Sequence, residues 1–127
     1  MWRPPHYDRA MTDDVAQLTE LNTRFIDACR RGSWADLKPI LSPNFSYLDG
    51  GTGQVDDIES YAKDLDGEPD PGLAIDQVVV HVDGNAAIVS ARAFADTRPG
   101  RFNRYLDTYE RRDGQWVCIH ASVWRID

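Results

Sequence analysis

The chain has 127 residues, 42% of them hydrophobic and 28% charged, which fits one ordinary folded domain and leaves no room for a second. Its net charge of -7 opposes binding to nucleic acids and anionic membranes, because both begin with clustered Lys and Arg. The compact basic pair Arg111-Arg112 falls beside a turn and reads as a solvated hairpin end.

Residues 1–11, with Pro4 and Pro5, show no helical period and no signal-peptide apolar stretch, and no run approaches the roughly 20 apolar residues of a bilayer span. These features predict a flexible extension ahead of a domain at 12–127, with Met11 as an alternative start, and a cytoplasmic location. Thr12 can cap a first helix with Asp13 and Asp14 in its first turn, and Val15, Leu18, Leu21, Phe25 and Cys29 recur at helical spacing until Gly32 ends it. Ser33 caps a short second helix through Trp34, Leu37 and Leu41. Phe45–Leu48 is a short strand, and Val55–Leu65 a third helix burying Ile58, Tyr61 and Leu65.

After the loop 66–72 the period becomes strand-like over 73–82, 86–96, 102–112 and 115–126. Asp83-Gly84, Arg98-Pro99-Gly100 and Asp113-Gly114 are turn signals, so these four strands form an antiparallel meander with the helices covering one face. Cys29 and Cys118 are isolated from each other and from other ligand types, and read as small buried hydrophobes. No metal or other cofactor is expected.

The order helix, helix, short strand, helix, four long strands resembles the nuclear-transport-factor-2-like superfamily, which includes SnoaL-like and ketosteroid-isomerase-like domains. Gly32-Ser33-Trp34 between the first helices and Arg111-Arg112-Asp113-Gly114-Gln115-Trp116 at the last hairpin carry the resemblance. It implies an α+β, cystatin-like fold, a cone-shaped barrel in which a strongly bent antiparallel sheet wraps around three N-terminal helices and encloses one pocket. Against the isomerase pattern, Leu41-Ser42-Pro43-Asn44-Phe45-Ser46-Tyr47-Leu48-Asp49 resembles the stretch ending in the general-base Asp, and Leu106-Asp107-Thr108-Tyr109 the strand carrying the protonated oxyanion Asp. The resemblance thus implies Asp49 and Asp107 as a catalytic pair whose pKa values one apolar cavity would push apart. The position of the family's oxyanion Tyr is occupied by Phe25, which argues against steroid isomerisation and leaves Tyr61 or Tyr105 as substitute donors.

Two registers are open at the last hairpin. A three-residue loop with Gly114 in a bulge sets Tyr105, Asp107 and Tyr109 opposite Ala121, Ile119 and Val117, facing the cavity; a two-residue turn at Asp113-Gly114 sets Asp107 opposite His120, as a dyad. The first is preferred, because it turns the apolar residues Val117, Ile119, Ala121 and Val123 inward. It leaves Trp116, Cys118, His120, Ser122 and Trp124 as an outer face suited to a partner, and a homodimer through Trp116, His120 and Trp124 is the simplest one. The reading is a pocket protein for a small, apolar or aromatic ligand, walled by Phe25, Trp34, Tyr47, Tyr61, Tyr105 and Tyr109. It would act by cofactor-free proton transfer as an isomerase, cyclase or dehydratase, or else serve as a non-catalytic dimeric binding or assembly module. Asp49 can alternatively close an Asx-turn before Gly50-Gly51, and Asp107 can alternatively pair with Arg92 or Arg104.

Overall fold

The computed structural model describes residues 5–126, with side chains described from Asp13 onward. Helix α1 spans Pro5–Arg31, so the cap expected at Thr12 falls inside it, and residues 5–11 are helical backbone where an extension is expected. Pro5 is compatible with this, since a proline in the first turn forfeits an N–H that has no helical partner. Residues 1–4 lie outside the described residues.

The inward stripe of α1 differs from the apolar one read from sequence. Leu18, Phe25, Ile26 and Ala28 are buried, but so are Asp14 and Asn22, while Val15 is exposed. The two polar residues are tolerated because the sheet answers them: Arg111 and Trp116 hydrogen-bond Asp14, and the Tyr105 hydroxyl donates to Asn22 at 2.7 Å. The helix stops at Gly32, which has φ +60°, in a paired C-terminal motif where the N–H groups of Gly32 and Ser33 donate to the carbonyls of Cys29 and Ala28. A Cβ on Gly32 would lie 2.7 Å from the backbone nitrogen of Pro69, so this glycine also permits the loop 66–72 to cross at van der Waals contact.

Helix α2 (Trp34–Leu37) is capped by the Ser33 hydroxyl, which accepts from the Asp36 N–H. It passes into a single tight turn, Lys38–Ile40, that Pro39 converts from α geometry, so Leu41 opens strand β1 (Leu41–Asp49) instead of closing the helix. Val55–Asp57, expected as the first turn of the third helix, is instead strand β2, and α3 (Ile58–Leu65) begins where the Asp57 carboxylate accepts from the Ser60 N–H.

Strands β3 (Ala74–Asp83), β4 (Ala86–Phe94), β5 (Phe102–Arg112) and β6 (Gln115–Ile126) form the expected antiparallel meander. Strand β1 joins it parallel to β6, and β2 closes the order β2-β1-β6-β5-β4-β3. The β3–β4 loop is Gly84-Asn85, one residue past the expected Asp83-Gly84. At the last hairpin Arg112 pairs with Gln115, so Asp113 and Gly114, both at positive φ, make a two-residue turn.

That turn alone would put Asp107 opposite His120. A bulge prevents it: Tyr109 pairs with Cys118 but Thr108 pairs with His120, leaving Ile119 as the extra residue and Asp107 opposite Ala121. One inserted residue exchanges the two faces of a strand, so β6 faces inward at Trp116 and Cys118 before the bulge and at Ala121 after it. Val117 and Ile119 do not form the inward row expected of them, and Trp116 and Cys118 are core residues, not part of an outer patch. The bent sheet closes over α1, α2 and α3, whose Leu18, Phe25, Leu37 and Tyr61 pack with Phe45, Val89, Tyr109 and Trp116 in one core.

Candidate functional site

The alternation of β5 sends Tyr105, Asp107 and Tyr109 to the inner face. Asp107 is 3% exposed and has no hydrogen-bond or ion-pair partner among the described residues. Neither Arg92 nor Arg104 reaches it: Arg92 makes a two-pronged contact with Asp76, and Arg104 donates to the Gln77 side chain. Burial without a countercharge disfavours the carboxylate and pushes its pKa up to about 8, so at neutral pH the group is mostly an uncharged acid able to donate a proton in a hydrogen bond.

Asp107 lines a cavity of about 260 Å³ between α1 and the sheet. Of the residues expected in its wall, Phe25, Tyr47, Tyr61 and Tyr105 are there, and Cys29, expected only as a small buried hydrophobe, joins them. Trp34 stands behind, its ring edge-on to Tyr61 at 6.4 Å, and Tyr109 is wholly buried in the core; neither lines the cavity. The Tyr109 hydroxyl is buried with no hydrogen-bond partner among the described residues, which makes that position a packing site held at a polar cost. Desolvation, reinforced by the Asp49 carboxylate, raises the Tyr47 phenol to about 12, and burial likewise raises Tyr61, so both hydroxyls remain protonated. Burial and then Asp107 raise the Cys29 thiol to about 12, which leaves it a poor nucleophile.

Asp49 stands elsewhere. It is exposed at the end of β1, and its Oδ1 accepts from the Gly51 N–H at 2.8 Å, the Asx-turn that its sequence context allows. It lines a second hollow of about 440 Å³ that shares Cys29, Tyr47, Tyr61, Asp70 and Leu73 with the Asp107 cavity and opens outward from it. The two carboxylates therefore belong to adjoining compartments, one inner and neutral, one outer. The Tyr105 hydroxyl is committed to Asn22, and the Tyr61 hydroxyl, which lines the cavity, is in hydrogen-bonding contact with the Cys29 thiol, so both tyrosines considered as replacement donors for Phe25 already have a protein partner.

His120 lies on the opposite face of the sheet from Asp107, which excludes a dyad. Its Nδ1 is 2.7 Å from the Ser46 Oγ and its Nε2 is 2.8 Å from the Ser122 Oγ, a hydroxyl–imidazole–hydroxyl chain across β1 and β6. Sequence reading missed this chain because Ser46 and His120 meet only through the parallel β1–β6 pairing, 74 positions apart. It also missed Asn22, whose only signal is its position on the buried stripe of α1. Among the described residues no group of His, Cys, Asp and Glu is arranged to hold a metal ion, and no helix is long and apolar enough to cross a membrane.

A bent sheet wrapped on three helices, with a cavity ending on a buried carboxyl, defines the nuclear-transport-factor-2-like, cystatin-like class of fold. The chain belongs to the SnoaL-like domain family, whose model matches residues 22–119. Among solved structures it is similar to a protein of unknown function from Shewanella baltica, 11% identical with a TM-score of 0.76 over 91% of this chain and 96% of that one. An NTF2-like protein with a cystatin-like fold from Novosphingobium aromaticivorans is 17% identical, with a TM-score of 0.77 over 96% and 88% of the two chains. The CaMKII hub of S. rosetta is 17% identical, with a TM-score of 0.71 over 87% and 95%. No curated protein matches the chain.

Proposed function

We propose that the protein binds a small, largely apolar ligand in the inner cavity, with the neutral Asp107 carboxyl donating a hydrogen bond to a ligand oxygen. The observation that carries this reading is Asp107 itself: a buried polar group with no partner among the described residues, facing a cavity walled by aromatic rings. Such a donor stabilises an enolate-like oxygen, so the chemistry it suits is cofactor-free proton transfer of the isomerase, cyclase or dehydratase kind. Asp49 in the outer compartment is the carboxylate available as base, for a ligand long enough to reach both compartments.

Carboxyl NMR tests the reading directly. The Asp107 resonance is expected to titrate near pH 8 in the free protein and to move when an aromatic alcohol or ketone is added. A midpoint in the ordinary carboxylate range, insensitive to every such compound, would refute a ligand role for Asp107.

A second reading, assembly of copies through the outer face of the sheet, is favoured by the exposure there of Trp124 and Val79, and by the likeness to a CaMKII hub. Trp124 and His120 keep their place in this proposed contact and Trp116 leaves it. Light scattering at micromolar concentration is expected to give at least a dimer, reduced toward the monomer by Trp124→Glu.

A further inference from the structure

The outer hollow carries charge of a single sign. Asp49, Asp56, Asp64, Glu68 and Asp70 line it, and no Lys, Arg or His does so among the described residues. These acids come from β1, β2, α3 and the loop 66–72, four segments that only the fold brings together. Their charges are mostly uncompensated. Asp49 and Asp56 accept from neutral donors, the Gly51 N–H and the Gln54 amide, and the side chains of Asp64 and Glu68 make no hydrogen bond or ion pair within the described residues. Only Asp70 is paired, with Arg98 at 2.9 Å, and that contact matches the one cation lining the inner cavity among the described residues.

The wall shared by the two compartments is aromatic. Tyr47 and Tyr61 stack with ring centroids 4.8 Å apart, and both line both hollows. Aromatic faces beside clustered carboxylates attract an organic cation, by the ring quadrupole and by the focused field of the acids. The independent sign that points to a ligand in this system is Asp107, a buried polar side chain with no partner among the described residues, facing the inner end. Size narrows the choice further: an apolar cavity of about 150 Å³ accommodates benzene, so one of about 260 Å³ suits one or two rings, and a larger ligand must extend among the acids.

We propose that the ligand is an amphiphilic organic cation: a body of one or two rings with an oxygen at Asp107, and an ammonium group at the end facing the acidic mouth. This rests on the reading of the Asp107 cavity as a ligand pocket and adds the charge class of the ligand to it.

Isothermal titration at low ionic strength with three probes separates the two claims. The probes are an unsubstituted naphthol, the same naphthol with an aminomethyl group at the far end of the ring system, and the same naphthol with a carboxylate there. The ammonium probe is expected to bind about tenfold more tightly than the neutral one and the carboxylate at least tenfold more weakly, with the spread shrinking as salt is added. In the double variant Asp64→Asn, Glu68→Gln the ratio of ammonium to neutral affinity is expected to fall severalfold. If the neutral naphthol binds but the carboxylate matches or exceeds the ammonium probe, the charge class is wrong while the pocket stands. An ammonium preference unchanged by both salt and the double variant overturns the role of the acidic mouth. Failure of all three probes to bind overturns the pocket and this inference together.

Discussion

Asp14→Ala should lower stability by about 3 kcal/mol, far more than removal of any surface ion pair, because it strips the partner from a half-buried arginine and a buried indole at once. The Asp14 carboxylate accepts from Arg111 Nη1 at 2.7 Å and Nη2 at 3.2 Å, and from Trp116 Nε1 at 3.3 Å. Arg111 also lies over the Trp116 ring at 4.6 Å and donates to the Gly84 carbonyl and the Asn85 side chain. One carboxylate thus fastens α1 to the β3–β4 loop and to the β5–β6 hairpin. The comparison is Asp36→Ala, whose partner Arg31 and own side chain are 60% and 49% exposed and whose loss should cost less than about 1 kcal/mol. Urea unfolding should show the Asp14→Ala midpoint falling with the slope unchanged, and a double-mutant cycle with Arg111→Ala should give strong coupling. A loss no larger than that of Asp36→Ala would mean that the cluster is solvated in solution.

That cluster also marks where sequence reading stops. Arg111-Arg112 reads as a solvated hairpin end because two adjacent basic residues beside a turn usually are one. Only the pairing of β5 with β6 and the approach of α1, 97 positions away, give Arg111 a buried partner. The meander was legible, since its strands carry a period of two and end at Gly or Pro turns; β5 and β6 run over the residues expected. Val55–Asp57 was not, because three residues at a sheet edge have too little pattern to separate from a helix start.

The face of Asp107 is instructive. The expected inward placement holds, but through a two-residue turn followed by a bulge at Ile119, and not through the three-residue loop. A bulge has no sequence signature here, so the apolar row Val117, Ile119, Ala121, Val123 reads as continuous when Trp116 and Cys118 form the inward positions before it. The resemblance drew Asp49 and Asp107 into one site. The backbone separates them, because Leu48-Asp49-Gly50-Gly51 turns at the rim and spends the Asp49 Oδ1 on its own loop.

The pH dependence of stability should carry the signature of Asp107, and its sign follows from the direction in which burial moves the carboxyl. The folded state holds the Asp107 proton more tightly than the unfolded chain, with a pKa of about 8 against an ordinary value of 3.8. The folded state therefore binds more protons between these values, and the contribution of this group to stability is full below about pH 4 and declines as pH rises to about 8. Holding one extra proton across that range, at about 1.4 kcal/mol for each pH unit, sets a ceiling on the order of 5 kcal/mol for the loss. Asp107→Asn keeps the shape and cannot ionise, so it removes this slope. Wild type and variant should match to about 1 kcal/mol in acid, and the variant should become the more stable by several kcal/mol above the Asp107 midpoint. Subtracting the two urea-derived stability curves cancels the carboxylates common to both, which isolates Asp107. A difference curve running the other way, with wild type gaining on the variant as pH rises, would require an ionised and stabilised Asp107 and would remove the neutral donor on which the ligand reading depends. A bound ligand oxygen that accepts from the neutral acid should raise the midpoint further, so the same subtraction repeated with a naphthol present links the stability of the fold to occupancy of its cavity.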